Sequence, residues 1–331
     1  MDYNATDQMS SRKFWETTGR NKYRAKADIF ADSLIDKKTG LLYKKFAFKR
    51  RCLICDKDKP EILFVKKGFH YVRCNECGMV YTNPALKDSI YKEMYEKEAC
   101  WDEFIEILKT ENQRKYDEIK FNYGLDKVSN FVSSGKTLDI GCSIGVFLEV
   151  AQKRGWEAYG LELNKKAYEY ARNNKLNVDN KMLNHSKYAG IKFDLITMWD
   201  VLEHAVYPKK LLSSTFNQLA DNGALLVLTP NINSLAARVM HKECNVFEGS
   251  SHVSLFSVET LKRILEESGF CVVHMETIIS EINVLNNFLS YKHPYQGDIN
   301  KSDSLLSLVT EQDVLKNKLG YKSLAVAVKK S

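Results

Sequence analysis

A chain of 331 residues, 44% of them hydrophobic, is ample for a core of about 200 residues plus a smaller module. No apolar run approaches the roughly 20 residues needed to span a bilayer, and the N-terminus is polar without an apolar signal region, which excludes a membrane-spanning reading and points to a soluble, cytoplasmic protein. The formal net charge of +7 lies within residues 1–51, which hold 13 Lys or Arg against 6 Asp or Glu, so the remainder is neutral. The eight cysteines fit a reducing compartment.

In chain order, residues 1–45 form a basic arm. It suits an anionic surface or a phosphorylated acceptor, and equally a solvated helical face. Residues 46–86 contain Cys52-x-x-Cys55 and Cys74-x-x-Cys77, a spacing that reads as a four-thiolate zinc site. Two knuckles closed by one ion tie together hairpins too small to bury a core alone, and four thiolates leave no open position, so the expected zinc is structural. Four unrelated thiols are the bland alternative. Residues 87–130 read as a helical linker, with Trp101, Phe104, Ile105 and Leu108 at helical spacing and Gly124 expected to break it.

From residue 131 onward, strands and helices alternate. Leu138, Asp139 and Ile140 stop at Gly141, a helix follows from Val146, and the next strand ends at Glu162, the position at which a doubly wound sheet presents an acid to ribose hydroxyls. The second and third positions of a dinucleotide fingerprint hold Ser143 and Val146, so a cofactor without phosphates fits better. Further strands are expected at Phe193–Met198, Ala224–Thr229, Cys271–Ile278 and Leu324–Val328. Helices are expected from Pro208 to Ala220 and after Ser257, which caps the latter, with Gly269 as its stop. Ser280 to Gly320 interrupts the last strand pair and carries Phe288, Tyr291, His293 and Tyr295. It is long for a plain connection: capping of an acceptor pocket and a homodimer contact are its two competing uses.

Asp139, Gly141 and Gly145, with a departure at Ser143, resemble the first motif of the class I S-adenosylmethionine-dependent methyltransferases. The segment Trp199-Asp200-Val201-Leu202-Glu203-His204 resembles the motif after the fourth strand of ubiquinone-biosynthesis O-methyltransferases. A zinc ribbon ahead of such a core also resembles sugar- and polysaccharide-modifying methyltransferases. The resemblance implies a Rossmann-like α/β sheet with helices on both faces over residues 131–331, preceded by the ribbon and the helical linker. It implies S-adenosylmethionine held by Asp139, Gly141, Cys142, Gly145, Glu162, Leu163 and Trp199, with the adenine amine recognised somewhere in Met182 to His185. Asp200, Glu203 and His204 match residues that bind a divalent cation in the ubiquinone-type relatives, so Mg²⁺ is an open alternative there.

Transfer of an activated methyl needs a nucleophile held in line, and a hydroxyl acceptor benefits from a general base, for which His204 and His252 are the candidates. Ordinary loop contacts are the competing roles for both. The expected acceptor is a small anionic or sugar-like molecule, in particular a phosphorylated or nucleotide-linked sugar. An RNA methyltransferase is the alternative, disfavoured because the arm lacks interleaved aromatic residues and no Asn-Pro-Pro-Tyr-like segment follows the fourth strand. A non-catalytic binding protein on the same fold is the second alternative.

Overall fold

The computed structural model describes residues 20–97, 99–297 and 306–329. The first 19 residues of the basic arm and residues 298–305 of the C-terminal interruption lie outside these. Helix α1 (Arg20–Ser33) precedes three strands, β1 (Pro60–Lys66), β2 (Phe69–Cys74) and β3 (Val80–Thr82). Helices α2 (Asp88–Lys97), α3 (Ala99–Lys109) and α4 (Glu111–Val128) then lead into β4 (Lys136–Ile140). The alternating region continues as α5 (Val146–Lys153), β5 (Glu157–Leu161), α6 (Lys165–Asn173), β6 (Asn177–Asp179), β7 (Phe193–Trp199), α7 (Pro208–Gln218) and β8 (Leu219–Pro230). It closes with α8 (Leu235–Met240), β9 (Ser254–Leu255), α9 (Val258–Glu267), β10 (Phe270–Ile278), α10 (Ile282–Leu289), α11 (Glu311–Lys316) and β11 (Lys322–Lys329).

Seven strands form one sheet in the order β6-β5-β4-β7-β8-β11-β10. The first five run parallel, and β11 is antiparallel to both its neighbours. Parallel strands are buried on both faces, which is why Thr137 to Ile140 and Leu195 to Trp199 are buried without alternation. One face packs Leu138, Ile140 and Met198 against Leu212 of α7 and Leu261 and Ile264 of α9. The other packs Leu226 and Val326 against Phe121 of α4 and Phe147 and Leu148 of α5. The expected α/β sheet with helices on both faces is therefore present. Chain direction across the sheet reverses between β4 and β7, and the crevice outside their carboxyl ends is where such sheets hold ligands.

Ser257 caps α9 as expected, accepting from the Thr260 N–H in a reciprocal box with the Thr260 hydroxyl, and Gly269 beyond its end takes φ of 95°. Gly124 does not break the linker. Helix α4 runs straight through it, and a β-carbon there would come within 2.3 Å of the Trp199 indole. The glycine is a close-approach position. Its helix-breaking tendency of about 1 kcal/mol is outweighed by the ring packed on it.

The four-cysteine region is joined to the large sheet. Strands β1, β2 and β3 form a small antiparallel sheet whose fourth strand is β9, supplied from residues 254 and 255 with Ser254 opposite Tyr81 and Leu255 opposite Val80. Ile54, Val72, Met79 and Tyr81 lie in the same apolar cluster as Leu138, Leu202 and Phe256 of the large core. Tyr71, Phe69 and Val80 contribute to a second cluster with Phe247, Val253 and Leu285.

Candidate functional site

The turn after β4 is built on glycines because the backbone requires them. Gly141 and Gly145 have φ of 76° and 88°, and a β-carbon at Gly145 would lie 2.3 Å from Leu176. Ser143, at the departure from the all-glycine pattern, adopts φ of 49°, so a side chain occupies a left-handed position that glycine fills at no cost. Cys142 is buried, with its Sγ 2.5 Å from where a β-carbon on Gly160 would lie and 3.9 Å from the Ser143 carbonyl oxygen.

Glu162 follows β5. Its Oε2 accepts the Ser143 N–H at 2.8 Å and its Oε1 the Asn164 N–H at 2.6 Å, leaving each oxygen with spare acceptor capacity. Burial pushes its carboxyl above the usual range despite these bonds. Leu163 beside it is exposed, as is Met182 at 65%. Two large apolar side chains presented to solvent at one edge suit the faces of a flat heterocycle. Asn180 Nδ2 fixes this edge by donating to the carbonyls of Glu162 and Leu163.

Asp139 lies beneath the turn, fully buried, with Oδ1 accepting from the Thr197 hydroxyl at 2.7 Å. Burial pushes its carboxyl up to about 8. Trp199 packs edge-on to Phe121 at 4.9 Å, and its Nε1–H is buried with no partner. A β-carbon on Gly141 would meet Val201 at 2.8 Å, so the glycine turn abuts the segment that follows β7.

That segment carries Asp200, Glu203 and His204. Asp200 takes φ of 56° and pairs with Lys322 at 2.5 Å. Burial works against its charge, but Lys322 and Lys120 together hold the carboxyl below its ordinary value. Glu203 is 1% exposed; Oε2 accepts from the Thr229 hydroxyl at 3.0 Å while Oε1 is buried without a partner. Burial, with Asp200 adding to it, raises this carboxyl. His204 and His252 meet edge to face at 5.0 Å. Each points Nδ1 at a backbone carbonyl, Ser251 for His204 at 3.0 Å and Val246 for His252 at 2.9 Å. This fixes Nδ1 as the protonated nitrogen and leaves both Nε2 atoms free to accept. Burial depresses both imidazoles, His252 to about 3.

The ligand atoms of Glu203, His204 and His252 all fall within 4.8 Å of one another. The resemblance to the ubiquinone-type enzymes implied Asp200, Glu203 and His204 as one group. In the structure Asp200 is turned to Lys322, and His252 takes the third place. The chemistry of this set fits a divalent cation, with the second nitrogen of each ring already committed to a carbonyl.

The four sulfurs of Cys52, Cys55, Cys74 and Cys77 also converge within 4.8 Å, with Cys52 and Cys77 at 3.3 Å and Cys55 and Cys74 at 3.5 Å. Tetrahedral thiolates around zinc stand about 3.8 Å apart, so the cluster fits that ion with a small expansion. Asp56 and Gly78, each just after a knuckle, have φ of 56° and 74°. Burial pushes the Cys52 thiol above the ordinary range.

Lys120 and Lys322 escaped the sequence reading. Lys322 opens β11 beside Pro230 and Ile278, so it reaches the carboxyl edge only because an antiparallel strand is inserted there. Lys120 pairs with Asp117 at 2.9 Å; that carboxylate outweighs burial and holds its ammonium above the ordinary value. The only signal for Lys120 was its place on the inner face of a linker helix. Of the tyrosines in the C-terminal interruption, Tyr291 is fully exposed, whereas Tyr295 is buried and its hydroxyl accepts the Asn245 N–H at 2.9 Å.

A Rossmann-like sheet with a glycine turn, a terminal acid and a polar cluster after the fourth strand of the alternating region defines a methyltransferase core. Residues 116–275 match the family described as a methyltransferase domain, so this stretch carries a domain of that kind. Among named proteins, the chain is 27% identical over 124 residues to a ubiquinone biosynthesis O-methyltransferase of Haemophilus ducreyi, covering 34% of this chain and 52% of that protein. It is 30% identical over 105 residues to the enzyme of the same name from an Azoarcus species, covering 30% and 45%. The chain thus spans about half the length of the curated relatives it matches. Two solved structures share the fold at a TM-score of 0.50. One is magnesium protoporphyrin IX methyltransferase of Synechocystis with bound S-adenosylhomocysteine, 15% identical and covering 74% of this chain and all of that one. The other is a Haloferax volcanii complex of the Trm112 methyltransferase activator with a putative methyltransferase, 12% identical and covering 67% and 95%. Among the described residues, no helix is long and apolar enough to cross a membrane.

Proposed function

We propose that the protein transfers a methyl group from S-adenosylmethionine to a hydroxyl of a small molecule. The observation that carries this reading is that the glycine turn, whose Ser143 N–H donates to Glu162, abuts Val201 of the segment bearing Glu203 and His204, so the Glu162 cradle and the histidine cluster share the carboxyl edge of the sheet. Glu162 holds the ribose hydroxyls through its spare lone pairs, Leu163 flanks the adenine, and the backbone from Gly141 to Gly145, including Cys142, lies along the methionine part. Asp139 supports that turn from below, and Trp199 closes the pocket floor with its unpartnered N–H. The cofactor supplies a sulfonium methyl, so the acceptor oxygen gains the carbon as the carbon–sulfur bond breaks and its electron pair returns to sulfur. His204, whose charged form Asp200 favours, takes the hydroxyl proton on Nε2. His252, more strongly depressed, orients the acceptor as a neutral hydrogen-bond acceptor.

The O-methyltransferase activity of the relatives favours an oxygen nucleophile. The ribbon-plus-core resemblance favours a nucleotide-linked or phosphorylated sugar, and the unpartnered Glu203 Oε1 suits an acceptor rich in hydroxyls. The four cysteines hold a structural zinc. A second reading gives Glu203, His204 and His252 a divalent cation that lowers the acceptor's pKa instead; their convergence with both Nε2 atoms free favours it.

Calorimetry with S-adenosylmethionine, followed by labelled methyl transfer to nucleotide sugars, small phenols and bulk RNA, tests the proposal. Expected are binding and label in a small hydroxylated acceptor, with His204→Ala lowering turnover more than cofactor affinity. Label in RNA alone would replace this reading with the RNA alternative, and binding without transfer to any acceptor would favour a non-catalytic protein. Loss of transfer on chelation, restored by Mg²⁺ with zinc retained, would select the cation mechanism.

A further inference from the structure

We propose that Arg50 and ribbon strand β3 position His204 and His252, which makes the four-cysteine ribbon a working part of the transfer site. This rests on the reading of the histidine cluster given above. Arg50 is 9% exposed and has no carboxylate partner among the described residues. Its guanidinium donates instead to three backbone carbonyls: Nε to Thr82 at 3.1 Å, Nη1 to Val206 at 3.0 Å, and Nη2 to Val253. Thr82 belongs to the ribbon, Val206 lies two residues after His204, and Val253 follows His252. One rigid planar fork therefore joins the metal module to both histidine-bearing segments, a task for which a flexible ammonium is poorly suited. Asn83 holds the Arg50 backbone in turn, accepting its N–H at 3.1 Å and donating to its carbonyl at 3.0 Å, and the Tyr81 ring lies 5.4 Å below the guanidinium.

The surrounding backbone repeats the connection. The Thr82 N–H donates to the Val253 carbonyl at 3.1 Å, and the Val253 N–H donates to the Glu203 carbonyl at 2.9 Å. The Ser254 hydroxyl donates to the Ala205 carbonyl at 2.7 Å, and Ser254 and Leu255 then pair with Tyr81 and Val80. A continuous chain of bonds thus runs from the ribbon strand through residue 253 to the turn bearing Glu203 and His204. Met79 and Cys74, which lie next to these strands in sequence, are buried in the core shared with Leu202 and Phe256. Loosening the ribbon would free both imidazoles while leaving the Glu162 cradle, on the far side of β4, undisturbed.

The full chain carrying Arg50→Met, Arg50→Lys or Ser254→Ala is compared with the parent in zinc content, S-adenosylmethionine affinity, backbone hydrogen exchange and histidine ring NMR signals. For Arg50→Met, one zinc per chain and cofactor affinity within about threefold of the parent are expected. Exchange across residues 203–206 and 249–256 should speed up roughly tenfold or more, with the His204 and His252 signals shifting and those of His185, His241, His274 and His293, away from Arg50, unmoved. Arg50→Lys should recover part of the change, and Ser254→Ala should move the same two histidines less. Parent-like exchange and signals in Arg50→Met with zinc retained would overturn the proposal. If Arg50→Met loses zinc and all its signals collapse together, Ser254→Ala decides, and unmoved His204 and His252 signals there would overturn it. A parent chain that fails to bind S-adenosylmethionine would sink the functional reading, whereas the exchange and ring signals would still judge the positioning.

Discussion

His252 is held neutral by burial, and its position makes a titration visible in the folding equilibrium. The unfolded chain takes up this proton as pH falls through about 6.5, whereas the folded protein resists until about 3. Stability that is complete above the unfolded value is therefore lost as pH falls between them. Asp139 has the opposite sign: its carboxyl is raised to about 8, so it favours the folded state in acid and weakens it as pH rises from about 4 toward 8. Comparison with His252→Gln separates the two. Between pH 7 and pH 5 the parent should lose about 2 kcal/mol more than the variant in urea titrations. Equal losses would mean the imidazole titrates normally in the folded state. With Glu162 holding the ribose as proposed above, Glu162→Ala should weaken S-adenosylmethionine binding by about 1.5 to 3 kcal/mol, roughly ten- to a hundredfold by calorimetry.

Among the elements, α4 shows what residue type alone conveys and what it hides. The apolar spacing in the linker identified helices, the glycine turn and its terminal acid located the carboxyl edge of the sheet, and Ser257 and Gly269 marked the limits of α9 because caps are local. Gly124 was misread because its reason lies 75 residues away, in the Trp199 ring. A methyl group at that position has no room, so Gly124→Ala should cost about 1 to 3 kcal/mol despite alanine's better helix propensity. Denaturant titration checks the sign: a stabilised variant would show that the indole is free to retreat. Strand β9 was equally hidden, since two residues carry no periodicity and their partners lie more than 170 positions earlier.

At the scale of the whole molecule, zinc-ligand spacing suggested a module preceding a separate core, whereas the apolar cluster runs from Cys52 and Ile54 through to Leu212 and Phe270. A chain limited to residues 111–331 keeps α4 on its own face of the sheet and exposes the ribbon-covered part of the other, including Leu202 and Phe256. It should bind a hydrophobic dye and melt without cooperativity, while the full chain unfolds in one transition by calorimetry. A sharp independent transition in the fragment would restore the two-module picture. The shared strand also dictates an order of events during synthesis. The cysteine-bearing hairpins leave the ribosome early, yet the outer edge of β3 has no neighbour until residues 254 and 255 emerge. For most of the time the protein is being made, that edge is an open template for strand pairing with any nascent chain nearby. The segment that ends this exposure is the one that brings His252 to His204, so an aggregation hazard and an incomplete histidine cluster are resolved by the same few residues.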